Sequence, residues 1–252
     1  MGLKYKIDIP LDAPERTLAH KEIILSKGFL KNLYIEWYGT FIDELKRIPP
    51  GKVVELGSGG GFLKDLNPNI IASDVIQLPT NDITFSALNM PFIDSSLSGI
   101  FMVDTFHHLP DASLFLSEAN RVLKENGKLI MIEPANTLWG KFIFSNFHHE
   151  PYNPEGNWEI PNSGALSGAN ISLPWIVFIR DKAIFNKMFP KLMIEEITFH
   201  TPLRYLLSGG VSFKSLVPDI SFGFFRGIDN FLVLLSKQLS MFMTIKIKKT
   251  DL

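Results

Sequence analysis

The 252-residue chain balances 25 Lys and Arg against 26 Asp and Glu, with 46% hydrophobic residues and no cysteine. Such a composition fits a folded globular protein and argues against a general nucleic-acid binder, which carries a basic excess. Without cysteine there is no disulfide, thiolate nucleophile or cysteine-ligated zinc, in accord with a reducing cytoplasm.

Met1–Leu11 alternates Lys4, Lys6 and Asp8 with apolar residues, which is not the pattern of a signal peptide. Lys6 stands where an N-myristoylation site needs Ser or Thr. Apolar stretches further on are broken by charge before the about 20 residues a membrane span requires, so a soluble cytoplasmic protein is expected. From Glu15 to Arg47, Leu18, Ile23, Ile24, Leu30, Leu33, Ile42 and Leu45 recur at helical spacings, with Gly28 and Gly39 as expected interruptions. Tyr34, Trp37 and Tyr38 in this segment are read either as core or as a lid whose Tyr hydroxyl meets a cofactor carboxylate.

Pro49-Pro50-Gly51 ends the helix, and Val53-Val54-Glu55-Leu56 reads as a buried strand. Gly57-Ser58-Gly59-Gly60-Gly61-Phe62 then predicts a tight turn into a helix, where a ligand can approach the main chain closely. A dinucleotide fingerprint wants a third glycine where Phe62 stands. The early carboxylate Glu55 would repel a pyrophosphate and suit a cationic or amino-bearing ligand. E-x-G-x-G-x-G, formed by Glu55, Gly57, Gly59 and Gly61, resembles the first motif of class I S-adenosylmethionine-dependent methyltransferases.

A short helix is predicted over Leu63–Leu66 and a second strand over Ile70–Ser73, closed by Asp74. Asp74 lies near the position where α/β nucleotide binders place an acid on the ribose. Ile83–Ser86 is the expected third strand and Gly99–Val103 the fourth. Ala87-Leu88-Asn89-Met90-Pro91-Phe92 and Asp104-Thr105-Phe106-His107-His108-Leu109 resemble a subgroup of the same family with D-A-x-x-L-P-F and H-H segments. Ser86 replaces the acid before the alanine, and Leu97-Ser98 replaces a Phe-Asp pair. The resemblance implies that Ala87 and Leu88 flank the adenine and that Asp104 and Thr105 line the reaction cleft.

Asp111 is a capping residue for a helix carrying Phe115, Ala119 and Val122 on one face, with Lys124 in its last turn and Gly127 beyond. Arg121–Gly127 resembles the family's R-V-L-K-P-G-G segment, and Lys128–Glu133 is the fifth strand. His148-His149-Glu150-Pro151-Tyr152 opens a polar loop of the kind that carries function. Asp181–Phe189 reads as helix, Met193–His200 as strand and Leu206–Gly210 as a turn. Phe213–Leu239 is read first as a helix packed on the sheet, and second as a wall for a lipid-like substrate or a membrane-surface contact. Met241–Lys248 alternates as an antiparallel edge strand would.

These readings give an α/β fold: a doubly wound, mainly parallel Rossmann-like sheet with an antiparallel last strand and helices on both faces. One domain is expected, with residues 1–50 as a helical lid, 51–135 as cofactor core, 136–190 as a cap and 191–252 completing the sheet. The resemblance implies S-adenosylmethionine, held by Tyr38, Glu55, Gly57, Ser58, Gly59, Gly61, Asp74, Ala87, Leu88, Asp104 and Thr105. The acceptor is a small or lipid-like molecule rather than nucleic acid, and His107, His148 and Glu150 are the catalytic candidates. No metal is expected, because adjacent loop residues seldom both reach one ion. A nicotinamide-dependent oxidoreductase and a non-catalytic adenosyl-ligand module stand as alternatives, the latter supported by Ser86 and Ser98. Oligomeric state is left open.

Overall fold

The computed structural model describes residues 5, 7–161 and 164–251; the readings made at Lys4 and Lys6 fall outside them. Two helices lead, α1 (Pro14–Ser26) and α2 (Gly28–Glu44), followed by β1 (Lys52–Leu56), α3 (Leu63–Leu66), β2 (Ile70–Asp74), β3 (Ile83–Thr84) and β4 (Leu97–Val103). Next come α4 (Ala112–Val122), β5 (Leu123–Pro134), α5 (Leu138–Phe147), α6 (Leu173–Trp175) and α7 (Lys182–Met188). The chain closes with β6 (Leu192–His200), α8 (Arg204–Ser208), α9 (Phe222–Leu235) and β7 (Phe242–Lys249).

The strands form a seven-stranded sheet in the order β3-β2-β1-β4-β5-β7-β6. Pairings are parallel from β3 through β5, and β7 runs antiparallel to both β5 and β6. Central parallel strands are covered on both faces, so β4 and β5 read as nearly continuous apolar runs. Their side chains alternate between two cores. Ile100, Met102, Leu129 and Met131 pack with Phe115, Leu116 and Ala119 of α4 and with Val177 and Phe178. Phe101, Ile130 and Ile132 pack with Leu33, Trp37 and Phe41 of α2 and with Ile143 and Phe144 of α5. The carboxyl ends of β1, β2, β4 and β5 therefore share one edge, where β1 reverses strand order against β2 and β4.

Several elements depart from the sequence reading. Gly39 lies inside α2, because the flanking Tyr38 and Phe41 are anchored in the core, and Gly28 opens α2, the break falling at the extended Lys27. α4 ends at Val122, so Lys124 and Gly127 belong to β5. Leu123 pairs with Leu97 and Lys128 with Gly99, leaving a bulge in which Asn126 adopts a positive φ of 61°. β7 is interior rather than the edge, since β6 returns outside it. Leu206–Gly210 is the end of α8, closed by left-handed Gly209 and Gly210.

α9 is a helix that turns only part of its apolar side inward, Phe222 and Phe225 packing edge-on against Phe29 of α2; its one fully buried residue is Asp229. That carboxylate holds the buried guanidinium of Arg204 at 2.7 Å and accepts from the Leu203 N–H at 2.8 Å. The same guanidinium forms two 2.8 Å hydrogen bonds to Glu36 of α2. A charged cluster, beside the Phe29 contacts, thus pins α8 and α9 to α2. Removing one partner of a buried ion pair costs about 3 kcal/mol. Asp229→Ala should therefore lower the urea midpoint strongly, while Asp43→Ala at the exposed Lys46 pair should leave it nearly unchanged. Equal midpoints for the two variants would remove the Arg204 cluster as an anchor.

Candidate active site

A cavity of about 430 Å³ opens at the carboxyl edge of the sheet, over β1, β2 and β4. Its floor is the loop after β1. Gly57 adopts a φ of 67°, and a Cβ there would collide with Thr105, so only glycine suits both backbone and neighbour. Asp74 fixes the loop from β2, its carboxylate accepting from the Gly59 N–H at 3.1 Å and the Ile76 N–H at 2.9 Å. Tyr38 fixes it from α2, its hydroxyl accepting from the Phe62 N–H at 3.2 Å; a Cβ on Gly61 would displace that hydroxyl. At Gly60, in contrast, a Cβ would meet no atom closer than 3.7 Å, and the loop there is open toward His20 and Ile24.

Charge in the cavity is one-sided. Glu55, Asp74, Asp104 and Glu150 line it together with His20, His108, His148 and His149, and among the described lining residues there is no Lys or Arg. Burial, reinforced by Asp74 and Asp65 and opposed by Lys21, pushes the Glu55 carboxyl up to about 8. Burial likewise pushes Asp104 up to about 7, with His107 opposing and Glu133 and Glu150 adding to the rise. Such carboxyls favour a ligand carrying positive charge, which would let them ionise. A pyrophosphate would meet carboxylates and no counter-charge.

The far wall is built on Glu133, the buried carboxylate at the end of β5. One oxygen accepts from the N–H groups of Thr105 (2.9 Å) and Phe106 (2.7 Å). The other lies 2.7 Å from Nδ1 of His107. Nε2 of His107 lies 3.2 Å from Glu150, so the ring bridges two carboxylates. Burial opposes charge on this ring, but the hydrogen bonds to Glu133 and Glu150 outweigh it and raise His107 well above its ordinary 6.5. It is an imidazolium holding two anions and does not itself line the cavity. Glu150 is further approached by His108 at 3.6 Å and His148 at 3.7 Å. Burial disfavours its charge, but His107, His108 and His148 together hold it well below the usual carboxylate range. His108 and His148 are lowered to about 4, chiefly by burial, and so face the cavity as neutral rings.

Most residues singled out in the sequence converge on this cavity: Tyr38, Glu55, Gly57, Gly59, Gly61, Asp74, Ala87, Leu88, Asp104, Thr105, His148 and Glu150 all line it. Ser58 does not, because its hydroxyl turns inward to Ser73 O at 3.0 Å. His20, Glu133 and the apolar wall of Ile143, Phe144, Leu206 and Val211 are site residues that the sequence does not single out. Glu133 had a readable signal, a strand-end carboxylate like Glu55; His20 had none, since α1 reaches the site only by folding over it.

Residues 54–131 match the family model described as a methyltransferase domain. The demethylmenaquinone methyltransferase of Symbiobacterium thermophilum is 28% identical over 127 residues, covering 50% of this chain and 50% of the relative. That of Thermotoga maritima is 26% identical over 138 residues, 48% of this chain and 60% of the relative. The match thus spans about half the length of the first relative and somewhat more of the second. Among solved structures, the complex of the Haloferax volcanii Trm112 methyltransferase activator with a methyltransferase contains a similar chain. It has TM-score 0.53 and 13% identity, over 98% of this chain and 100% of that one. A geranyl diphosphate methyltransferase bound to S-adenosylmethionine has TM-score 0.51 and 12% identity over 95% and 90%. Both are likenesses of fold.

The Glu133–His107–Glu150 triad has a defined pH signature. Raised in the fold, His107 contributes stability that is full below 6.5 and is lost as pH rises through its folded value. Lowered in the fold, Glu150 contributes stability present above 4.5 and lost as pH falls. In Glu133→Gln the His107 ring should titrate at lower pH than in the wild type, as read by imidazole ¹⁵N NMR. The loss in melting temperature should be greatest between the two values and narrow toward alkaline pH. A wild-type ring that titrates at its ordinary pH would overturn the imidazolium assignment.

Proposed function

We propose, for a chain whose core is that of the class I S-adenosylmethionine-dependent methyltransferases, that it methylates a lipid-like acceptor bound against the apolar wall of the cavity. The observation that carries this reading is the division of one cavity into a carboxylate half and an apolar half. Glu55, Asp74 and Asp104 suit a cofactor with an ammonium, a sulfonium and a ribose but no phosphate. Ile143 and Phe144 of α5 with Leu206, Val211 and Met241 offer a surface that gains from covering an apolar acceptor. The names of the curated relatives, which act on demethylmenaquinone, agree with an apolar ring-bearing acceptor of that kind.

When bound, S-adenosylmethionine supplies an electrophilic methyl group. The chain's own part is to hold, orient and exchange protons. Gly57, Gly59 and the open side of Gly60 leave the main chain accessible, Asp74 would hold the ribose, and Ala87 and Leu88 would hold the base. Asp104, pushed to about 7 by burial, is the cavity group matched to accept a proton from an acceptor hydroxyl at neutral pH. Glu150, fixed as a carboxylate by His107, and the neutral His148 orient the acceptor from the cap. His107 is then a positioning residue, and His148 a contact rather than the base.

Two measurements test this. Calorimetry with S-adenosylhomocysteine should show micromolar binding, and NADH should show none. Near neutral pH, binding should release protons from Glu55, seen as heats that differ between buffers of different ionisation enthalpy, and Glu55→Gln should abolish the difference. Buffer-independent heats in the wild type would sink the role of Glu55. With the reduced, dihydroxy form of demethylmenaquinone or of a shorter-chain analogue, Asp104→Asn should lower kcat by about 100-fold or more and remove the limb near pH 7 from its profile. An unchanged profile would transfer the proton to another group, and turnover confined to polar acceptors would overturn the lipid-like reading.

A further inference from the structure

We propose that the face formed by α9 and α5 docks on an anionic lipid bilayer, with the mouth of the cavity opening toward the membrane. This rests on the lipid-like reading of the acceptor only for what enters the mouth; the docking surface stands on its own geometry. α9 packs Phe222 and Phe225 inward against Phe29 and carries a second apolar stripe outward. Ile220 just before it and Phe224, Phe231 and Leu234 along it are 95%, 69%, 58% and 86% exposed. Their spacing places them on one stripe, while the helix buries Asp229 on the opposite side against Arg204. Contiguous apolar exposure of this kind marks an interaction surface rather than a solvated one.

α5 continues the patch. Its Phe142 and Phe147 are 50% and 67% exposed, and its start is tied to the segment after α9 by Leu138 N–H donating to Gln238 at 3.0 Å. Phe147 and Phe213 are at once exposed and part of the cavity lining, so the apolar half of the cavity and the outer patch are continuous.

Charge selects the occupant. Lys141 on α5, Arg226 on α9 and Lys237 after it are exposed in the elements that carry the patch; Arg226 lies 3.9 Å from Glu36, and Asp219, beside Ile220, accepts from the Phe29 N–H at 2.7 Å. α5 has no acidic residue and the only one of α9 is buried. Such cationic groups attract anionic headgroups and repel a second copy presenting the same face. At 14 residues α9 is about 21 Å long, too short to span a bilayer but suited to lie in its surface. Among the described residues no helix is long and apolar enough to cross.

The test is flotation of the full chain with vesicles of equimolar phosphatidylglycerol and phosphatidylcholine, or of phosphatidylcholine alone, without cofactor or acceptor. Protein should float with the anionic vesicles, with less binding at high salt and on the neutral vesicles. The double variant Phe231→Ser with Leu234→Ser should bind at least about tenfold more weakly. Both side chains are exposed, so its thermal melt and its affinity for S-adenosylhomocysteine should match the wild type. Wild-type protein that stays with the soluble fraction, or a variant that floats equally well, would overturn the proposal. So would a concentration-dependent dimer in sedimentation that the variant abolishes, which would assign the patch to a second copy. Loss of turnover with docking intact would count against the acceptor, not against the surface.

Discussion

One buried carboxylate organises the catalytic edge. Glu133 sits at the end of β5 with no exposure, and a charge there is tolerable because both of its oxygens are engaged by donors. It caps the turn after β4 through two main-chain N–H groups and holds the proton on His107 by proximity. His107 in turn fixes Glu150, which belongs to the cap. The chain of contacts runs from the sheet, through the turn, to the segment that closes the cavity, and each link is a charge that would be costly if left alone. A network of this kind gives the cap a single seat rather than strength alone.

The electrostatics of the cavity follow from the same economy of charge. Carboxylates gather at the strand ends with no cationic side chain among the described residues lining the space between them, and burial gives Glu55 and Asp104 raised proton affinities. A ligand bearing positive charge relieves that cost and a pyrophosphate would deepen it. This distinguishes the site from dinucleotide binders of similar topology more sharply than the glycine pattern does. Phe62, packed between Tyr34 and Tyr38, adds a steric version of the same distinction, since it fills the space where a third glycine would let helix and strand close up.

The apolar side obeys a different constraint. α8 and α9 are held to the body by Arg204, Glu36 and Asp229 and by Phe222 and Phe225 against Phe29. Anchoring of one side in this way leaves Phe224, Phe231 and Leu234 outside the core and exposed.

The parallel strands, the glycine loop and the carboxylates at the strand ends could be read from the sequence, because the apolar run of a buried strand and its Gly-rich exit are local properties. Glu55, Asp74 and Asp104 end strands whose apolar runs announce them, and so their meeting in one cavity was legible. The helix boundary at Val122 was not, because pairing of Leu123 with Leu97 overrides a local signal in which Lys124 and Gly127 resemble a helix end. Nor was the place of β7, which depends on β6 returning outside it. The roles of the histidines were decided in three dimensions. His107 and His148 look alike as residues, yet one is held as a cation between two carboxylates and the other is neutral against a buried wall. The side of α9 that meets solvent was likewise settled by where Arg204 lies. Sequence determined what most segments form, since that depends on neighbours along the chain; the protonation of the site and the exposure of its apolar face depend on neighbours in space, and only the fold supplies those.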